Sequence, residues 1–140
     1  MIAPEQLCLN NWVNAKFQTD DFNFQVKSIK NEFIGMSEDI SYHANTLYPI
    51  PITPDILLKA GFNKNNFNQY SIDVYKNQWG YKRLFFSGSY LYLEESVSEG
   101  QYGSTDLITI WNKDFKKEFY LHELQNLFLL LSGKNLNIEL

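Results

Sequence analysis

Alternating and helically spaced apolar residues divide the chain into a strand-rich start, a proline-marked passage and a strand-rich second half closed by a helix. Residues 6–16 carry Leu7, Leu9, Trp12 and Val13 at strand-like positions, with Cys8 between two leucines. Residues 22–29 alternate, with Phe22, Phe24 and Val26 against Asn23, Gln25 and Lys27, the period-two signature of a half-buried strand. Lys30-Asn31-Glu32 reads as a polar turn before Phe33-Ile34-Gly35-Met36, and residues 40–44 form another extended piece. Four short strands with tight polar connections predict a small curled sheet resembling an SH3-like barrel.

Pro49-Ile50-Pro51-Ile52-Thr53-Pro54 is the clearest punctuation. Residues before proline are pushed into extended backbone, so 49–54 reads as a linker. It leads into a helix start: Thr53 as N-cap, Pro54 at the first helical position, Asp55 at the positive end of the dipole. Gly61 ends that helix, with Phe62 folding back on Leu57. The polar run 63–68 reads as a loop. Residues 70–75, 80–86, 90–93 and 107–111 are strand-like, with Ser87-Gly88 as a two-residue turn. The acidic stretch 94–104, holding Gly100 and Gly103, reads as a mobile loop. At the end, Tyr120, Leu124, Leu127, Phe128 and Leu131 share one helical face, and Gly133 stops the helix.

No βαβ alternation is present, so the fold class is α+β. The expected layout is a small β subdomain at 1–48, an extended linker at 49–54, and a helix, antiparallel meander and C-terminal helix in 55–140. At 140 residues the chain has the size of one domain, or two very small ones sharing an interface.

Charge and chemistry narrow the function classes. The net charge is −4, and lysine supplies 11 of the 12 basic residues. With no basic face, phosphate-backbone binding to nucleic acid is not expected. The start of the chain lacks signal-peptide character and no run reaches a membrane-spanning length, so no membrane association and a cytoplasmic location are expected. Cys8 is the single cysteine, which rules out an intrachain disulfide framework and reads as a small buried hydrophobe. His43 and His122 are the only histidines, and neither has a second histidine at metal-binding spacing. His43 would act as an acid or base only in a pocket with Asp39 or Asp73. No catalytic residue, metal or cofactor is assigned, and a non-enzymatic protein is expected.

The best binding candidate is Gln78-Trp79-Gly80-Tyr81-Lys82-Arg83. Trp79 and Tyr81 offer flat surfaces, and Arg83, the only arginine, offers a planar fork for phosphate or carboxylate. Tyr81 and Arg83, two apart, share a face on a strand. Stacking surface plus fork is what an adenine nucleotide requires. The alternative for the same residues is a hairpin whose aromatics pack on the sheet. The 23 aromatic residues fit a stacking surface and also fit the coding bias of an AT-rich genome.

Three segments carry a resemblance: Leu9-Asn10-Asn11-Trp12-Val13, the stretch from Pro49 to Phe62, and Tyr120 to Leu127 with Ser132-Gly133-Lys134-Asn135-Leu136. With these the chain resembles a family of small, largely uncharacterised proteins of gut anaerobes, their mobile elements and phages. The family often has glycine where this chain has Asn10. The resemblance implies a phage or mobile-element binding protein. One version sequesters a nucleotide signal of bacterial antiviral defence as an anti-defence factor. The alternative is an adaptor or inhibitor acting on a host or phage protein. Either leaves room for a homo-oligomer.

Overall fold

The computed structural model describes residues 1–99 and 102–140. They form three antiparallel sheets and two α-helices, an α+β arrangement dominated by strands. The chain resolves into two compact units, Met1–Ile52 with Phe119–Leu136, and Thr53–Glu118 with Asn137–Glu139. The C-terminal helix thus groups with the first fifty residues, whereas the sequence reading placed it in a 55–140 block.

In the first unit, β1 (Trp12–Phe17) pairs with β2 (Asp20–Gln25). Its other edge pairs with β6 (Leu47–Tyr48). A second sheet contains β3 (Ser28–Lys30), β4 (Phe33–Gly35) and β5 (Ser41–His43). The stretch 22–29, expected as one strand, is two. Its chain leaves the first sheet at Val26, whose N–H donates to the Asn11 carbonyl and whose carbonyl accepts the N–H of Asn10, and Lys27 donates to Gly35 of the second sheet. Residues 6–11 are not strand either. Pro4–Gln6 make one 3-10 turn, and Asn10 takes a left-handed φ of 71°. Cys8 is exposed, which corrects its reading as a buried hydrophobe: a turn, not a strand, presents it.

The core of this unit gathers Ile2, Val13, Ala15, Phe24, Val26, Ile34 and Leu47. Alternation puts Val13 and Ala15 of β1 on the same inward face. Helix α2 (Leu121–Ser132) belongs to this unit. Its Glu123 carboxylate accepts the N–H of Tyr120 at 2.9 Å, closing the helix start. The buried stripe is Leu121, His122, Leu124, Gln125 and Phe128. It is rotated from the stripe expected at 120, 124, 127, 128 and 131, because two polar residues lie within it. Gln125 explains part of this. Its side chain accepts the N–H of Trp12 at 2.8 Å and donates to the Asn10 carbonyl at 3.1 Å. Asn126 accepts from Asn11 and donates to the Gln6 carbonyl. These amides satisfy backbone groups of the irregular segment before β1, which otherwise would be buried at a cost.

The second unit opens with α1 (Pro54–Lys59). Thr53 caps it through Oγ1, which accepts the N–H of Ile56 at 3.2 Å. Gly61 has φ of +88°, and Phe62 and Gly61 donate to Leu57 and Leu58, the paired bonds of a Schellman ending. A five-stranded sheet follows, in the order β11-β10-β9-β8-β7. Its strands are β7 (Asn63–Lys64), β8 (Tyr70–Asn77), β9 (Gly80–Ser87), β10 (Tyr90–Glu99) and β11 (Tyr102–Asn112). The turn between β9 and β10 is Gly88-Ser89, one residue beyond the expected Ser87-Gly88, with Ser87 pairing Tyr90. Leu84, Phe86, Leu91, Leu93 and Trp111 are buried, and Phe62 after α1 packs on Phe86 with ring centres 5.9 Å apart.

The acidic stretch 94–104 is not a loop where it is described. Residues 94–99 continue β10 and 102–104 begin β11, while Gly100 and Gln101 lie outside the described residues. The ladder explains the acidic residues: Glu94 sits opposite Arg83 and Glu95 opposite Lys82, opposite charges that stabilise a strand pair. Among the described residues, no helix is long and apolar enough to cross a membrane.

Candidate functional site

The hairpin joining β8 and β9 builds the site. Asn77 makes the turn: its Oδ1 accepts the N–H of Trp79 at 2.8 Å, the local side-chain bond that lets asparagine shape turns. The Trp79 carbonyl then accepts the N–H of Ser98, 2.7 Å away on β10. Backbone approach at this point is close. A Cβ added to Gly80 would lie 2.0 Å from the Ser96 carbonyl oxygen, so only glycine lets β10 run beside the turn. The Trp79 backbone is therefore held on both sides while its side chain stays 61% exposed.

Tyr81 and Arg83 follow on one face of β9. The guanidinium carbon of Arg83 lies 4.4 Å from the centre of the Tyr81 ring. Its Nε donates to Asp73 Oδ1 on β8 at 2.9 Å. The Tyr81 hydroxyl donates to Glu94 Oε1 on β10 at 2.9 Å. That bond, together with burial and the charge of Glu94, raises the Tyr81 pKa above its ordinary value. Burial alone would lower the pKa of Arg83, but the hydrogen bond and charge of Asp73 more than offset it, and the pKa is raised. The fork expected to reach a ligand is already stacked on Tyr81 and bonded to Asp73.

An open pocket of about 170 Å³ lies at the tip of this hairpin. Trp79 and Tyr81 line it, and Arg83 is not part of its lining. Tyr75, Asn77, Gly80, Lys82, Glu95, Ser96 and Val97 complete the lining. Lys82 Nζ is 3.3 Å from Glu95 Oε1, so the cation in the wall faces a carboxylate. Sequence reasoning missed Tyr75 and Val97 because strand pairing brings them there. The signal available was the matched pair Lys82-Arg83 and Glu94-Glu95, equidistant from Gly88-Ser89, which fixes the register that carries Val97 to Gly80.

The other reactive residues are elsewhere. His43 Nε2 is 3.0 Å from Glu32 Oε2, not in a pocket with Asp39 or Asp73. His122 is buried on α2 and stacks on Tyr120 with ring centres 6.1 Å apart. Among the described residues, no three His, Cys, Asp or Glu side chains converge as a metal site.

In comparisons with known proteins, no family model, no curated protein and no solved structure matches the chain. The site's own chemistry is what remains to argue from.

Proposed function

We propose that this protein is a non-enzymatic binding protein that holds a protein partner at the pocket around Trp79. Size is the observation that carries the reading. Pockets that enclose a small organic ligand run to roughly 300–1,000 Å³, and this one measures about 170 Å³. It fits one apolar side chain of a partner's loop and is too small to enclose a dinucleotide. An exposed tryptophan beside a tyrosine is the residue type that dominates protein interfaces. Two of the local cations are paired within the sheet, Lys82 with Glu95 and Arg83 with Asp73, so an apolar contact in the pocket meets a neutralised Lys82 in its wall.

A second reading, sequestration of a nucleotide immune signal, draws on one observation: the Tyr81–Arg83 stack stands beside the pocket, with Lys82 in its wall. A phosphate would have to displace the Asp73 and Glu95 carboxylates. The wider setting belongs to the proposal as well: a cytoplasmic anti-defence or adaptor protein of a phage or mobile element, its residues 1–48 an SH3-like scaffold. The three segments 9–13, 49–62 and 120–136 support that setting by resemblance.

A displayed-peptide selection followed by calorimetry separates the two readings. The expected result is enrichment of peptides with an apolar anchor, whose binding is lost in Trp79→Ala. Heat from cyclic dinucleotides or ADP-ribose-derived signals, abolished by Arg83→Lys, would replace the protein-partner reading with the nucleotide one.

A further inference from the structure

The two edges of the five-stranded sheet are built in opposite ways. An open strand edge offers unpaired backbone donors and acceptors, and monomeric proteins blunt it with short strands, charges, proline or a covering loop. At one edge, β7 is two residues long and carries Lys64. It runs straight into the Asn65 turn, whose side chain accepts the N–H groups of Phe67 and Gln69. At the other edge, β11 is 11 residues long and, among the described residues, pairs only with β10. Residues 103–109 are all exposed. They contain one charge, Asp106, and no lysine or proline. Leu107 is 63% and Ile108 49% exposed, one on each face of the strand. The register shift of β11 falls at its far end, opposite Leu91 and Tyr92, leaving 103–109 regular.

We propose that β11 is a dimerisation edge, at which two copies of this chain pair antiparallel about a two-fold axis at Leu107 and join their sheets. The strand's own pattern selects a second copy as the occupant. With the axis at Leu107, Leu107 faces Leu107 of the copy and Thr105 faces Thr109. Asp106 faces Ile108, so the two Asp106 residues are not directly opposed. Two residues of strand rise and one interstrand spacing separate their Cα atoms by about 8 Å, about one Debye length at physiological salt, which weakens their repulsion. Leucine pairs and threonine pairs across strands are stabilising. Such an interface is isologous and closes at two copies. An open backbone edge accepts any strand, and the pattern about Leu107, which matches leucine with leucine and threonine with threonine, is what favours a second copy.

Sedimentation equilibrium of the full chain tests this. The expected mass is twice 16.5 kDa, with monomer appearing on dilution. Leu107→Lys should raise the dimer dissociation constant by roughly tenfold or more, because like charges would face each other across the axis. Its circular dichroism should stay that of the wild type, since Leu107 is exposed, while its melting temperature should lose the concentration dependence that dimerisation gives the wild type. In a Cys8→Ser background, Leu107→Cys should form an intermolecular disulfide on mild oxidation, because directly opposed Cβ atoms lie roughly 4.5–5.5 Å apart, a small strand adjustment from the roughly 3.5–4.5 Å that a disulfide spans. A wild type that stays monomeric through the high-micromolar range overturns the proposal. So does a dimer unchanged by Leu107→Lys, which would use another surface, and so does open-ended polymer, which a closed two-fold contact forbids.

Discussion

The two compact units place their apolar residues differently. In the first, Val13, Ala15, Val26, Ile34 and Leu47 are wholly buried, and side-chain amides of α2 tie down the irregular backbone before β1. In the second, Leu84 and Leu91 are wholly buried near the base of the sheet. Farther along the sheet, Tyr75 on β8, Trp79 in the hairpin turn, Val97 on β10 and Leu107 and Ile108 on β11 are exposed. Single exposed apolar residues are ordinary, but several on one sheet, rimmed by paired charges, mark a surface that meets something. The first unit exposes apolar side chains too, Leu9, Phe33 and Leu130 among them, so the proposed contact role of the second rests on the grouping around Trp79 and not on exposure alone. Substitutions should therefore divide the same way: loss of stability in the first unit, loss of association at the tip of the second.

The largest effect should come from the buried side. Leu47→Ala removes a fully buried side chain of the first core and should cost about 2–5 kcal/mol, read as a lower urea midpoint at unchanged slope. Trp79→Ala should do the reverse. Stability should stay within about 0.5 kcal/mol of wild type, while binding of a selected peptide should weaken by about 2 kcal/mol or more. A Trp79→Ala variant that melts far below wild type would break the comparison, because it would make the tip part of a core.

Thr53→Ala should cost about 1 kcal/mol through loss of the Ile56 bond, measured by thermal unfolding. This helix was legible in the sequence because each of its signals is local: cap, first-turn proline, terminal glycine. The same is true of Gly133, whose N–H bonds the Leu129 carbonyl at the end of α2. What sequence did not reveal depends on distant partners. Glu94 and Glu95 look like a solvated loop until Arg83 and Lys82 stand opposite them. Gln125 looks like the polar side of a helix until the Trp12 N–H needs an acceptor. Of the candidate site, Trp79 and Tyr81 were readable as aromatics near a turn, and both line the pocket. The state of Arg83 was not readable, because Asp73 reaches it only through strand pairing.

The smallest effect concerns Tyr81. Its pKa in the folded protein lies above the ordinary 10.0, chiefly through its hydrogen bond to Glu94. A raised pKa means the folded state holds the proton more tightly. The stabilisation is thus fully present below pH 10 and is lost as pH rises through the folded value. Tyr81→Phe should therefore melt slightly lower than wild type at neutral pH, and the two melting curves should converge above about pH 10. Parallel curves up to high pH would show that the Glu94 bond contributes nothing to the sheet.

The most direct test of the division between burial and contact is a nitrogen-15 NMR titration read at the indole N–H signals. The chain has three tryptophans, and they sample the relevant places: Trp12 on β1, Trp111 with its indole N–H bonded to the Lys116 carbonyl, and Trp79 at the pocket. On adding a peptide selected against the wild type, the Trp79 signal should shift or broaden progressively while those of Trp12 and Trp111 stay in place. A Trp79 signal that does not move while the peptide binds, with either of the other two responding instead, would contradict the account.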